Sequence, residues 1–160
     1  MLTWVGWPDR AAPGSNRLVW HSFCGWMSFL IPTTLKNVQR VLFLWCQHGK
    51  EWKDLGVGFL QVEVEDFIGT PSLWQVTQAL AFISYYQQLG QCVYVHCKAG
   101  RTRSAIIVAC YLMMKNQWDD TTAWNHILSR CTHVRLTQQQ QQFLHFFYLT
   151  ETSMQKLRTR

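Results

Sequence analysis

Apolar and polar residues alternate late in the stretch Phe59-Leu60-Gln61-Val62-Glu63-Val64-Glu65, the two-residue period of a half-buried strand. Gly69-Thr70-Pro71-Ser72 breaks the pattern with a loop. Ser72 is placed to cap a helix over residues 73–89, which Gly90 ends. Residues 92–95 are wholly apolar and predict a short strand of the kind buried in parallel sheets. After a loop, a second apolar helix is predicted over residues 104–114. Asp119 and Thr137 are N-cap candidates for two more helices, Asp120–Arg130 and residues 138–150. The glutamine run at 138–142 is low in complexity, but Phe143, Leu144, Phe146 and Phe147 supply a packing face, so it reads as helix. Strand, helix, strand and three further helices predict an α/β fold with parallel pairing.

Residues 1–49 show no clean period. Trp4, Trp7, Trp20 and Trp26, a Pro-Asp pair and a Pro-Gly-Ser-Asn stretch punctuate them, and residues 41–45 are a candidate strand. The expected organisation is a divergent, partly disordered N-terminal segment over 1–49, a domain over 50–153 and a basic tail over 154–160. At 160 residues and 48% hydrophobic the chain has enough material for one domain with a core. The longest apolar run, residues 18–31, is interrupted by His21 and Ser22 and falls short of the roughly 18 residues of a membrane span. It suits a core segment, an interfacial stretch or a targeting remnant. Arg10 and Arg17, with Asp9 the one acidic residue before Lys36, are compatible with a transit peptide.

Fifteen Lys and Arg against nine Asp and Glu point to an anionic partner: phosphate, lipid headgroup or nucleic acid. No nucleic-acid motif accompanies the charge, and no nucleic-acid partner is expected. Lys98, Arg101 and Arg103 cluster in one loop, whereas Lys156, Arg158 and Arg160 read as a solvated helix end. The six cysteines, Cys24, Cys46, Cys92, Cys97, Cys110 and Cys131, include no Cys-x-x-Cys pair, which argues against a zinc site. Several lie in apolar runs as small core residues, a pattern that fits a reducing compartment.

One cysteine stands apart. In Val93-Tyr94-Val95-His96-Cys97-Lys98-Ala99-Gly100-Arg101-Thr102-Arg103-Ser104, Cys97 ends a buried strand and a cationic, glycine-containing loop runs into a helix. A loop between a strand's carboxyl end and a helix N-terminus turns its backbone N–H groups toward an anion. Residues Lys98, Ala99, Gly100, Arg101, Thr102 and Arg103 are therefore the expected phosphate cradle, with Arg103 gripping two phosphate oxygens. The same field favours a thiolate, which makes Cys97 the expected nucleophile.

Attack on a phosphate monoester also needs a proton for the departing alcohol. Asp66, at the start of the Gly69 loop, is the chosen general acid, with Glu63 and Glu65 as alternatives and a turn-capping role as the plain structural reading. His96 is expected to orient the loop, against the simpler reading of a satisfied histidine at a strand end. Ser104 is either the helix N-cap or a hydroxyl that donates to the sulfur when a phosphocysteine is hydrolysed.

The loop His96-Cys97-Lys98-Ala99-Gly100-Arg101-Thr102-Arg103-Ser104 resembles the active-site loop of the dual-specificity branch of cysteine phosphatases, and within it the mitochondrial phosphatidylglycerophosphatases. The similarity extends through Lys50-Glu51-Trp52-Lys53, Val64-Glu65-Asp66 with Gly69 and Pro71, residues 89–95, and Arg135 with Gln138, covering about residues 50–150. The resemblance implies a cysteine-phosphatase fold, a central mostly parallel sheet flanked by helices, with an atypical N-terminal part. It implies dephosphorylation of phosphatidylglycerophosphate, a phospholipid substrate, at the mitochondrial inner membrane, with peripheral contact to an anionic membrane and with no metal or organic cofactor. Cys97, Arg103 and Asp66 match the family's nucleophile, phosphate-binding arginine and general acid. One departure lies upstream: the family carries an acidic, tyrosine-bearing loop before the Lys-Glu-Trp segment, and residues 41–49 here contain no acidic residue. The alternatives to a lipid phosphatase are a protein tyrosine, serine or threonine phosphatase with the same chemistry, and a non-catalytic phosphate-binding variant.

Overall fold

Ser72 Oγ accepts from the Gln75 N–H at 3.3 Å while Gln75 Oε1 accepts from the Ser72 N–H at 2.8 Å. This reciprocal capping box satisfies two otherwise orphaned donors and starts helix α1, Leu73–Gln88. Asp119 and Thr137 also act as predicted. The Asp119 carboxylate accepts from the Thr122 N–H at 2.7 Å and starts α3, Asp120–Arg130. Thr137 Oγ1 accepts from the Gln140 N–H at 3.3 Å, and Gln140 Oε1 accepts in turn from the Thr137 N–H at 3.0 Å, at the start of α4, Gln138–Arg158.

The computed structural model describes residues 2–6, 18–20, 58–65, 69–91, 93–97 and 101–158, with backbone alone for 2–6, 18–20, His96 and Arg158. Four strands form one sheet: β1 (Leu2–Gly6), β2 (Leu18–Trp20), β3 (Gly58–Val62) and β4 (Val93–Cys97). Their order is β2-β4-β1-β3. β2 runs parallel to β4, with Val19 opposite Tyr94. β1 is antiparallel to both neighbours, its Trp4 standing opposite Val95 on one side and Leu60 on the other.

β2, β3 and β4 therefore share a direction, as a strand–helix–strand crossover demands. The expected parallel pairing of β3 with β4 is corrected, because β1 lies between them and each ladders onto it instead. Both β1 and β2 come from the segment where no period was visible. The candidate strand at 41–45 lies outside the described residues.

Element boundaries also differ from the sequence reading, β4 among them, which runs Val93–Cys97 rather than 92–95. β3 stops at Val62 rather than continuing to Glu65, since the next two carbonyls are taken by side chains: Gln75 Nε2 donates to Glu63 O at 2.7 Å and Arg103 Nη1 to Val64 O at 3.3 Å. Helix α2 begins one residue early and spans Arg103–Asn116, ending on Gln117 in the left-handed conformation (φ 57°). Gln117 Nε2 closes that end by donating to Met114 O at 2.7 Å. Helix α4 passes residue 150 and runs to Arg158, so most of the predicted basic tail is its last turns.

The core forms around α2. From Arg103 to Tyr111 every residue is buried, which marks a helix surrounded by protein rather than one with a solvent face. Val76, Ala79, Leu80 and Ile83 of α1, Val93 and Val95 of β4, and Ala123 and Ile127 of α3 pack into the same cluster. α4 contributes Leu144 and Phe147, with Phe143 partly buried. Phe146 was expected on that packing face and is instead 54% exposed, because the buried stripe repeats from Gln140 through Leu144 to Phe147 and leaves position 146 on the outer side.

The Asp119 cap makes stability pH-dependent. The Thr122 hydroxyl and N–H hold its carboxyl below the ordinary value, so the folded state favours the charged form more than the unfolded chain does. The cap's contribution is present above the unfolded pKa and is lost as pH falls through the lower folded value. Asp119→Ala is expected to lower the Tm at neutral pH, with the gap to the parent closing below about pH 4. Thermal melts across that range check this, and a gap independent of pH would contradict it.

Candidate active site

β4 alternates side chains across the sheet, which puts Val93, Val95 and Cys97 on one buried face. Cys97 is the last residue of the strand and only 4% exposed. The chain then turns into α2, and Cys97 Sγ comes to 3.2 Å from Ser104 Oγ. Thr102, the N-cap of α2, makes no side-chain capping bond, unlike Ser72 and Asp119. The positive end of a 14-residue helix dipole thus faces the sulfur without its own N-cap side chain across it. This placement corrects one of the two readings of Ser104: it is not the N-cap but the second residue of the helix, and its hydroxyl meets the sulfur.

Arg103 opens α2 and is 3% exposed. An arginine that deeply buried needs fixed partners, and one is the Val64 carbonyl just after β3. The bond spans 39 residues of sequence and ties the cradle to the segment that leads into Asp66. Tyr94, on the opposite face of β4, was not singled out from the sequence. Its pKa is pushed up to about 12, first by burial and then by the negative charge of Cys97. The phenol is therefore neutral at any working pH.

The loop between α3 and α4 closes the site from another side. The Arg135 N–H donates to Arg101 O at 3.3 Å, which brings that loop against the residues that lead into α2. The Arg135 guanidinium folds back on its own loop, Nη1 donating to Thr132 O at 2.6 Å and to Val134 O at 2.8 Å. Arg101 is exposed and Thr102 half-buried.

Cys97 and Ser104 are thus brought together, with Arg103 adjoining Ser104 at the start of α2 and Arg101 and Thr102 just before it. His96 sits one residue before Cys97 in β4. Asp66, Lys98, Ala99 and Gly100 lie outside the described residues. Glu63 and Glu65, the alternative acids, are exposed. Gln140 was also missed: it is fully buried, and its Nε2 donates to Gly69 O at 3.1 Å. The Thr-x-x-Gln spacing at 137–140 signals the capping box but not the partner 71 residues away. Among the described residues no group of three His, Cys, Asp or Glu side chains could hold a metal ion, and no helix is long and apolar enough to cross a membrane.

A buried sulfur at a helix N-terminus, with a hydroxyl against it and a buried arginine opening the same helix, can bind an oxyanion and transfer a phosphoryl group to sulfur. Known proteins point the same way. The family "Dual specificity phosphatase, catalytic domain" matches residues 29–149. The rat "Phosphatidylglycerophosphatase and protein-tyrosine phosphatase 1" is 41% identical over 115 residues, which is 72% of this chain and 59% of that protein. The chain therefore spans somewhat over half the length of this curated relative. The crystal structure of PTPMT1 in complex with PI(5)P superposes with a TM-score of 0.65 at 38% identity, over 70% of this chain and 72% of the other. The crystal structure of Tk-PTP in the active form, at 24% identity and a TM-score of 0.60 over 66% and 71% of the two chains, shares the fold.

The 3.2 Å contact gives Ser104 a distinct expected signature. A hydroxyl donating to a departing thiolate helps a phosphocysteine break down more than it helps one form. Ser104→Ala should lower the steady-state rate about 10- to 100-fold, the value of a hydrogen bond to a charged group, and should convert turnover into a rapid burst followed by a slow phase. Rapid-quench kinetics with an aryl phosphate measures both phases, and equal slowing of the two would contradict the role.

Proposed function

The chain belongs to the dual specificity phosphatase catalytic-domain family, and from that premise we propose that it hydrolyses phosphate monoesters through a phosphocysteine intermediate, with phosphatidylglycerophosphate as its substrate. The observation that carries the chemistry is the buried contact of Cys97 Sγ with Ser104 Oγ at the amino end of α2, beside the buried Arg103. The name of the rat relative and the PI(5)P bound to PTPMT1 support a phospholipid phosphate.

In this reading the substrate phosphate lies in the cradle of residues 98–103, and Arg103 grips two of its oxygens. The Cys97 thiolate attacks phosphorus, a sulfur–phosphorus bond forms, and the bond from phosphorus to the glycerol oxygen breaks. Asp66 gives its proton to that oxygen, which leaves as the alcohol. A water then attacks the phosphocysteine and yields its proton to Asp66. The sulfur–phosphorus bond breaks, inorganic phosphate departs, and the thiolate returns to the field of α2 with the Ser104 hydroxyl donating to it. Every atom is accounted for: a monoester and water become an alcohol and phosphate. His96, in the strand immediately before the nucleophile, orients the loop.

Cys97→Ser separates an enzyme from a binding module. A serine hydroxyl fits the cradle but is not ionised at neutral pH, so turnover of an aryl phosphate should fall below detection while inorganic phosphate still binds. Retained turnover overturns the nucleophile assignment, and a parent protein that binds phosphate without turnover supports the non-catalytic variant.

Electrostatics favours the lipid, and with it peripheral contact with an anionic membrane such as the mitochondrial inner membrane. Arg101 and Arg135 are exposed and joined at the rim of the cradle by their backbone bond, and Arg130 is exposed at the end of α3. Basic side chains near an anionic surface contribute about 1 kcal/mol each. The value of kcat/KM should therefore be higher for phosphatidylglycerophosphate in anionic vesicles than for a phosphotyrosine peptide, by a margin that shrinks as salt rises. Equal values, or a margin indifferent to salt, favour the protein-phosphatase reading that the rat relative's second name also carries.

A further inference from the structure

We propose that Gln140 is a positioning residue for the general-acid loop, acting through Gly69. This rests on Asp66 being the acid, and the experiment below separates the two ideas.

Gln140 lies three residues into α4, has no exposed surface, and uses both ends of its amide. Its Oε1 accepts from the Thr137 N–H at 3.0 Å, which closes the capping box. Its Nε2 donates to Gly69 O at 3.1 Å, which reaches out of the helix altogether. A helix cap needs only the first of these bonds.

Gly69 is the point where the short loop after β3 closes. A Cβ built there would lie 2.5 Å from Glu65 O and 2.7 Å from Glu65 N, so the backbones of residues 65 and 69 are in direct contact. Asp66 belongs to the three-residue excursion between them. The near side of that closure is held by Gln75 on Glu63 O and by Arg103 on Val64 O. The far side is held by Gln140.

The same helix start is joined to the phosphate cradle, because Arg135, two residues before Thr137, donates its N–H to Arg101 O. The first turn of α4 is thus fastened to the cradle on one side and to the acid loop on the other. Asp66 is one residue beyond Glu65 and three before Gly69 in sequence, so a shift of that base is carried to it through the chain. Losing the Gln140 donor should impair proton delivery and leave the Cys97 nucleophile untouched.

The test compares kcat/KM on an alkyl phosphate, whose leaving group needs a proton, with that on an aryl phosphate bearing an acidic phenol. Gln140→Glu keeps the cap acceptor but sets a carboxylate against the Gly69 carbonyl. Gln140→Met keeps the bulk and removes the donor without adding charge. Both should slow the alkyl substrate about tenfold or more, toward the 10²–10⁴ of a lost general acid, and the aryl substrate less than about threefold. Alkylation of Cys97 by iodoacetate should be unchanged. Thr137→Val, which weakens the cap and leaves the Gly69 bond, should show no leaving-group preference.

Gly69→Ala, which drives a Cβ into the Glu65 backbone, shifts the base of the loop directly and should show the same leaving-group preference. Either folded Gln140 variant decides the role of Gln140. Equal slowing of both substrates, or of neither, overturns the positioning role. Asp66→Asn is the reference arm. If it lacks the leaving-group signature the acid assignment itself is wrong, and if it has the signature while the Gln140 and Gly69 variants do not, only the role of Gln140 falls.

Discussion

Cys97 Sγ at the end of β4 and Ser104 Oγ in the first turn of α2 meet at 3.2 Å, both of them buried. That contact exists only because α2 is enclosed by protein, with Ala105, Ile106, Ile107, Ala109 and Cys110 all without exposed surface. A helix with one face in water could rock about its axis. One packed all round is held at close-packed density, and its amino end is placed as firmly as the core itself. The amino end of α2 and the hydroxyl of Ser104 are consequently presented to the sulfur in a fixed arrangement.

The remaining parts of the site are joined to that helix end by hydrogen bonds between segments distant in sequence. Arg103 reaches Val64, Arg135 reaches Arg101, and Gln140 reaches Gly69. Each uses a backbone carbonyl as acceptor, so each fixes the path of the chain rather than the rotamer of one side chain. The early end of β3 has the same cause, since Glu63 and Val64 give their carbonyls to Gln75 and Arg103 rather than to a sheet ladder.

Charge is divided between interior and rim. Arg103 and Cys97 are both buried, and a guanidinium in low dielectric attracts an anion more strongly than an exposed one does. Arg101, Arg130 and Arg135 are exposed, where salt screens them. Tyr94, on the opposite face of β4, is kept neutral by burial first and then by the Cys97 charge.

The local features were legible in the residues alone. Ser72, Asp119 and Thr137 announced three helix starts, and the apolar run before Cys97 announced β4, because caps and periodicity depend on neighbours a few positions away. Cys97, Arg103 and Ser104 were legible for the same reason: one short loop holds all three. Tertiary structure alone decided that β1 enters between β3 and β4, that Ser104 faces the sulfur instead of capping α2, that Phe146 turns outward, and that Gln140 leaves its helix to hold Gly69. Strand order and such long-range bonds depend on which surfaces remain unpaired once the core has closed. That competition is between segments tens of residues apart, and no local pattern of hydrophobic and polar positions encodes its outcome.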